Sequence, residues 1–125
     1  MEMNVHVNGD SQFTNYSFHS VTIKGKEYSQ NIVVTNKEIR PFLVEDIEQI
    51  ALSDLDAILT NNPDLIIFGY GDKVKYPGHE LHGLLKKLHQ KAIGVEVMPI
   101  PALCRTFNFL SSENRNVVAV LLFGR

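Results

Sequence analysis

Four groups of residues in this chain have types and spacings that could do chemistry. Gly69-Tyr70-Gly71 follows the apolar run Leu65-Ile66-Ile67-Phe68. That order puts two glycines at the carboxyl end of a buried strand, the edge where open α/β sheets hold ligands and where a missing side chain lets a ligand reach the backbone. As a dinucleotide fingerprint the spacing fails, because a third glycine would fall at Val74 and no helix opens there. His79, His82 and His89 suggest a metal. On one helix, however, His82 and His89 stand about 10.5 Å apart along the axis, too far to share an ion whose bonds are about 2.1 Å. His79-Glu80-Leu81-His82 also falls short of the H-E-x-x-H zinc spacing, and no metal is expected. Cys104 beside Arg105, near the start of a helix, has the surroundings that lower a thiol pKa and make a reactive thiol. A nucleophile also needs a base, which the sequence does not pair with it, and free cysteines are mostly core residues. Finally, Arg105 and Asn108 lie three apart on a helix, with Glu113 and Arg115 at its end. This polar cluster reads either as a binding surface or as structural pairs.

The elements that must position these groups follow from periodicity and breakers. Val21 to Lys24 and Ile32 to Thr35 are rich in β-branched residues, with Gly25 between them where a turn needs positive φ, and read as an antiparallel strand pair. In Phe42 to Leu52, Val44, Ile47 and Ile50 fit helical spacing but no clear cap precedes them, and the segment is left unassigned. Ser53 with Asp56 makes a capping-box pattern for a short helix reaching about Asn61, which Pro63 ends. Leu65 to Phe68 is a buried strand. Leu81, Leu84, Leu85 and Leu88 then mark an amphipathic helix ending near Gly94. Val95 to Met98 is a third strand region, and Pro101 suits the first turn of a helix whose buried stripe is Leu103, Phe107 and Leu110. Val117 to Phe123 is a final buried strand. Strands alternating with helices predict one α/β domain over residues 1–125, with a central, largely parallel sheet and helices on its faces.

A chain of 125 residues with 44% hydrophobic and 21% charged residues can build one packed core. Twelve Lys/Arg against fourteen Asp/Glu give a net charge of −2, without the basic excess of a nucleic-acid binder. The charge is uneven. Residues 1–62 hold four basic against nine acidic residues, and residues 63–125 eight against five. A face with Lys73, Lys75, Lys86, Lys87, Lys91, Arg105 and Arg115 reads either as a surface that meets a small anion or an acidic partner or as the solvated ends of helices. The lone cysteine cannot form an intramolecular disulfide. The longest strongly apolar run, Val117 to Phe123, is seven residues, against the roughly 20 of a membrane-spanning helix. Met1 to His6 has neither the basic start nor the apolar stretch of a secretion signal. A cytoplasmic location without a membrane span is expected.

The motifs Gly69-Tyr70-Gly71, Val95-Glu96-Val97-Met98, Ala102 to Asn108 and Leu110-x-x-Glu113-x-Arg115-x-Val117 occur in an order and spacing that resembles the Mth-type family of unknown function. Its members include mitochondrial complex I assembly factor three and an adipogenesis-associated protein. Where the family usually has glycine between the Glu and the Arg, this chain has Asn114, which also tolerates a left-handed backbone. The resemblance implies a three-layer fold with a central mixed sheet, its last strand antiparallel, and an N-terminal strand pair packed nearby. It implies no established catalytic activity and no cofactor, and points to an interaction or assembly module with a protein partner. The alternative is a small anion-binding domain or enzyme using the Gly69–Gly71 edge with Arg105. The candidate binding residues are Gly69, Gly71, Arg105, Asn108, Glu113 and Arg115.

Overall fold

The computed structural model describes residues 12–44, 50–60, 62–73 and 82–124. Strands β1 (Phe13–Tyr16), β2 (Val21–Ile23) and β3 (Lys26–Tyr28) form a small antiparallel sheet. Strands β4 (Ile32–Val34), β5 (Ile39–Pro41), β6 (Leu65–Tyr70), β7 (Gly94–Pro99) and β8 (Val117–Leu122) form a second sheet in the order β5-β4-β8-β6-β7. A 3-10 turn, Leu52–Leu55, runs into the single-turn helix α1 (Asp56–Leu59); α2 (His82–Gln90) and α3 (Ile100–Ser112) complete the described elements.

The long apolar runs behave as read. All six residues of β8 are buried, as are Ile66 to Gly69 of β6. A strand with partners on both edges and cover on both faces has no polar side, so its sequence is continuous rather than alternating. The five-stranded sheet separates two apolar clusters. On one face Ile32, Val34, Ile67, Val117, Ala119 and Leu121 meet the small sheet through Phe13, Val21 and Ile23, and α3 through Ile100, Leu103, Cys104 and Phe107. On the other, Val33, Ile66, Phe68, Val118, Val120 and Leu122 meet Phe42, Ile50, Leu55, Ile58 and the α2 residues Leu84 and Leu88.

Three expectations are corrected. Val21 to Lys24 does not pair with Ile32 to Thr35. Lys24 (φ 55) and Gly25 (φ 79) make a two-residue hairpin that pairs β2 with β3, Ile23 opposite Lys26. Two positive φ values suit the right-handed twist of such a hairpin, and the short polar segment Lys-Glu-Tyr gives no strand signal of its own. The freed β4 enters the large sheet, antiparallel to β5 and to β8. That sheet is therefore mixed, not mostly parallel. The last strand is antiparallel only to β4, and runs parallel to β6 from Leu65↔Val117 to Tyr70↔Leu122. Last, the turn before α1 is capped two residues earlier than Ser53 and Asp56 predict, at Ala51 and Asp54. Asp54 Oδ2 accepts the Ala51 N–H at 2.8 Å, and with alanine at the cap no side-chain oxygen is there to accept the Asp54 N–H in return.

Candidate functional site

Helix α3 carries most of the residues singled out for chemistry, and its geometry sorts them. Pro99 precedes it in extended backbone and Pro101 occupies its first turn, where a missing N–H removes no hydrogen bond. Ile100, Leu103, Cys104, Phe107 and Ser111 are its buried side. Phe107 meets Phe13 edge to face, with ring centroids 5.4 Å apart, a geometry that favours the ring edge over a partner's π face. Arg105, Phe109 and Glu113 follow at intervals of four and are exposed, so they form one outward stripe. Phe109 is 61% exposed.

Asn108 stands at the side of the helix and is committed to β1. Its Oδ1 accepts the Phe13 N–H at 2.8 Å, and its Nδ2 donates to the Phe13 carbonyl at 2.9 Å. One side-chain amide thus supplies both bonds of a strand partner and fastens the small sheet to the helix. Gly69 and Gly71 serve close packing. A Cβ on Gly69 would stand 2.6 Å from Leu103 Cδ1, and one on Gly71 2.7 Å from the Phe18 carbonyl oxygen. Gly69 lies beneath Ile100 and Leu103, on the buried side of α3, and Gly71 against the backbone of Phe18 and Phe123, whereas Arg105 is on the exposed side of the helix. The structure does not bring them together as one anion site.

Arg105 and Glu113, eight residues apart on the axis and thus about 12 Å along it, do not form a buried pair. No ion pair joins Arg105, Glu113 or Arg115 to another described residue. Arg115 sits past the helix end, where its N–H donates to Leu110 and that of Asn114 to Ser111, at 3.1 and 3.0 Å. Asn114 adopts φ 62, the left-handed residue of a Schellman turn.

The reactive-thiol reading of Cys104 is reversed. The side chain is fully buried, and burial pushes its pKa up from 9.0 to about 12, outweighing the opposing pull of Arg105. Removing a thiolate from water costs more than one exposed guanidinium returns through solvent. His82 and His89 are exposed on α2, and His79 lies outside the described residues. Among the described residues, no three His, Cys, Asp or Glu side chains converge as a metal site.

Sequence reasoning missed Phe109 and Asn31. Counting the buried stripe Leu103, Phe107 and Leu110 leaves Phe109 on the far side, so its signal was present as an apolar residue out of phase. Asn31 Oδ1 accepts the N–H groups of Phe123 and Gly124 at 2.8 and 3.2 Å, and its Nδ2 donates to Val44. An asparagine ahead of a strand carries no mark of that role.

The architecture defines a mixed α/β domain with a small second sheet and no complete catalytic constellation among its described residues. Residues 13–122 match the family described as protein of unknown function (DUF498/DUF598), and the chain belongs to that family. It is 30% identical over 98 residues to the 13 kDa major membrane protein of Francisella tularensis, covering 77% of each chain. It is 31% identical over 109 residues to the NADH dehydrogenase [ubiquinone] 1 alpha subcomplex assembly factor 3 of Xenopus tropicalis, covering 86% of this chain and 58% of that protein. The chain thus spans somewhat over half the length of that assembly factor. In fold, an NMR structure from Xanthomonas campestris matches with TM-score 0.77 at 24% identity, covering 99% of this chain and 90% of that one. A Bordetella pertussis protein described as a Mth938-like domain shares the fold with TM-score 0.65 at 20% identity, with the same coverage of both chains.

Proposed function

We propose that this chain is a non-enzymatic interaction or assembly module that holds a protein partner against the outward stripe of α3. The observation that carries the reading is Phe109, 61% exposed between the charges of Arg105 and Glu113 on a helix whose other sides are fixed. An exposed phenylalanine by itself is ordinary. Here the glycine seat and the Asn108 clamp hold the helix rigidly, so an aromatic anchor with charged neighbours is presented at little cost in ordering. Assembly-factor relatives support the same reading. Arg115 at the helix end extends the surface with a second cation.

Phe109→Ser tests this directly. Wild-type and variant baits should melt together and differ in capture from the native cell: a partner enriched by the first and lost by the second is expected. A partner list unchanged by Phe109→Ser, Arg105→Ala and Glu113→Ala overturns the assignment of this face. A cytoplasmic placement belongs to the same proposal. It is supported by a fully buried lone thiol, and no helix among the described residues is long and apolar enough to cross a membrane. Fractionation that recovers the chain with membranes, in keeping with the name of the Francisella relative, would remove that part.

A further inference from the structure

We propose that a second site, remote from the outward face of α3, lies between β3 and the β4–β5 hairpin and takes an organic anion with an apolar body. A cleft of about 470 Å³ opens there, lined by residues 26–32 and 39–41. That volume is within the range of small-molecule sites. Its walls carry apolar surface from Tyr28, Ile32 and Ile39, of which Tyr28 and Ile39 are half-buried against the core.

The position of Lys26 gives the cleft its chemistry. Directly opposed residues of an antiparallel pair share a face of the sheet. Lys26 lies opposite Ile23, and Tyr28 opposite Val21, and both β2 residues are fully buried. The lysine therefore projects on the apolar side of its strand, while Glu27, opposite Thr22, projects on the other. Its ammonium stands 5.3 Å from the centre of the Tyr28 ring, a cation–π distance. Arg40 also borders the cleft, but it lies opposite Val33, on the other face of the sheet from Ile39, and its guanidinium stands 3.9 Å from Glu38. Lys26 is therefore the cation of the site. A cation beside an aromatic face over an apolar floor matches a ligand whose carboxylate, sulfonate or phosphate meets the lysine while its body covers Tyr28 and Ile39.

An added peptide strand fits less well. The bonds from Thr35 N to Glu38 O and from Phe42 N to Asn31 O fix the hairpin pattern, so Arg40 bonds inward to β4. Ile39 and Pro41 are left on the outer edge, and Pro41 has no N–H to give to a new strand. An inward-facing lysine also deters edge-to-edge pairing. That role alone would leave the cleft without ligand selectivity, which makes selectivity the deciding measurement.

The probe is 8-anilinonaphthalene-1-sulfonate, with the uncharged N-phenyl-1-naphthylamine as its match in shape, followed by fluorescence and by amide chemical shifts. The sulfonate is expected to saturate and to shift amides at residues 26–32 and 39–41. Lys26→Met keeps the side-chain stem and should weaken it at least tenfold, leave the neutral dye unchanged, and melt with the wild type; Lys26→Arg should restore binding. Shifts that map elsewhere, or a Lys26→Met affinity within twofold of wild type, overturn the proposal. Because Phe109→Ser lies on the other surface, it should leave this titration unchanged, so failure here and failure of the α3 reading are separately visible.

Discussion

Helices α2 and α3 end in the same turn and are held in different ways. After α2, Ile93 N donates to Leu88 O and Ala92 N to His89 O, at 3.2 and 2.9 Å, with Ala92 at φ 62. After α3 the same two bonds form around Asn114, also at φ 62. An alanine in the left-handed region carries a steric cost that asparagine partly avoids. Along their lengths the contrast widens. Helix α2 buries two leucines, Leu84 and Leu88. Helix α3 buries five residues, rests on a glycine of β6, and is clamped to β1 by an amide. The difference separates a helix that covers the sheet from one that also positions a second sheet and an exposed face.

The largest expected effect tests that contrast in the core. Phe107→Ala removes a fully buried ring and should cost roughly 3 to 5 kcal/mol in a denaturant melt. Asn108→Leu comes next. It strands the Phe13 N–H and carbonyl, part-buried groups each worth on the order of 1 kcal/mol, so about 2 kcal/mol should be lost. Amide exchange should rise in β1 and β2 before it rises in β8. Equal exchange throughout would show that the small sheet does not depend on the clamp.

The buried thiol gives an alkaline signature on the same helix. Below pH 9 Cys104 keeps its proton folded or unfolded and adds no pH dependence. Between 9.0 and about 12 the unfolded chain gives up that proton while the folded chain holds it. The unfolded state then binds fewer protons, and stability falls with rising pH by at most about 1.4 kcal/mol per unit. Cys104→Ala should show a shallower fall from pH 9 to 10 than wild type, and aqueous thiol reagents should label wild type only on unfolding. Smaller still, Ala92→Gly should stabilise by up to about 1 kcal/mol in thermal melts by relieving the left-handed alanine. Arg105→Ala should stay within about 0.5 kcal/mol. A loss there comparable to Phe107→Ala would mean that Arg105 belongs to the scaffold.

The parts legible in the sequence were those with dense local signals. The runs Leu65 to Phe68 and Val117 to Phe123 are too apolar and too short for anything but buried strands. Pro101 marked the start of α3, and the tolerance of asparagine for positive φ foretold Asn114. Pairing was not legible, because partner choice depends on residues far apart. The Gly25 turn was visible while its partner strand Lys26–Tyr28 was not, so the second strand of the pair was misassigned. In the candidate site the residue types were read, but their direction was not. Asn108 and Arg105 look alike in sequence, yet 60 degrees of helix rotation turns one to a strand and leaves the other in water.

The place of β8 has a consequence for how the chain is made. It is the only strand joining the β4–β5 hairpin to the β6–β7 pair among the described residues, and it follows both in synthesis. Until residues 117–122 emerge, β4 and β6 each present an open edge flanked by apolar side chains, the kind of surface that invites pairing with other chains. The nascent protein therefore passes through an interval in which two half-sheets exist without the strand that makes them one.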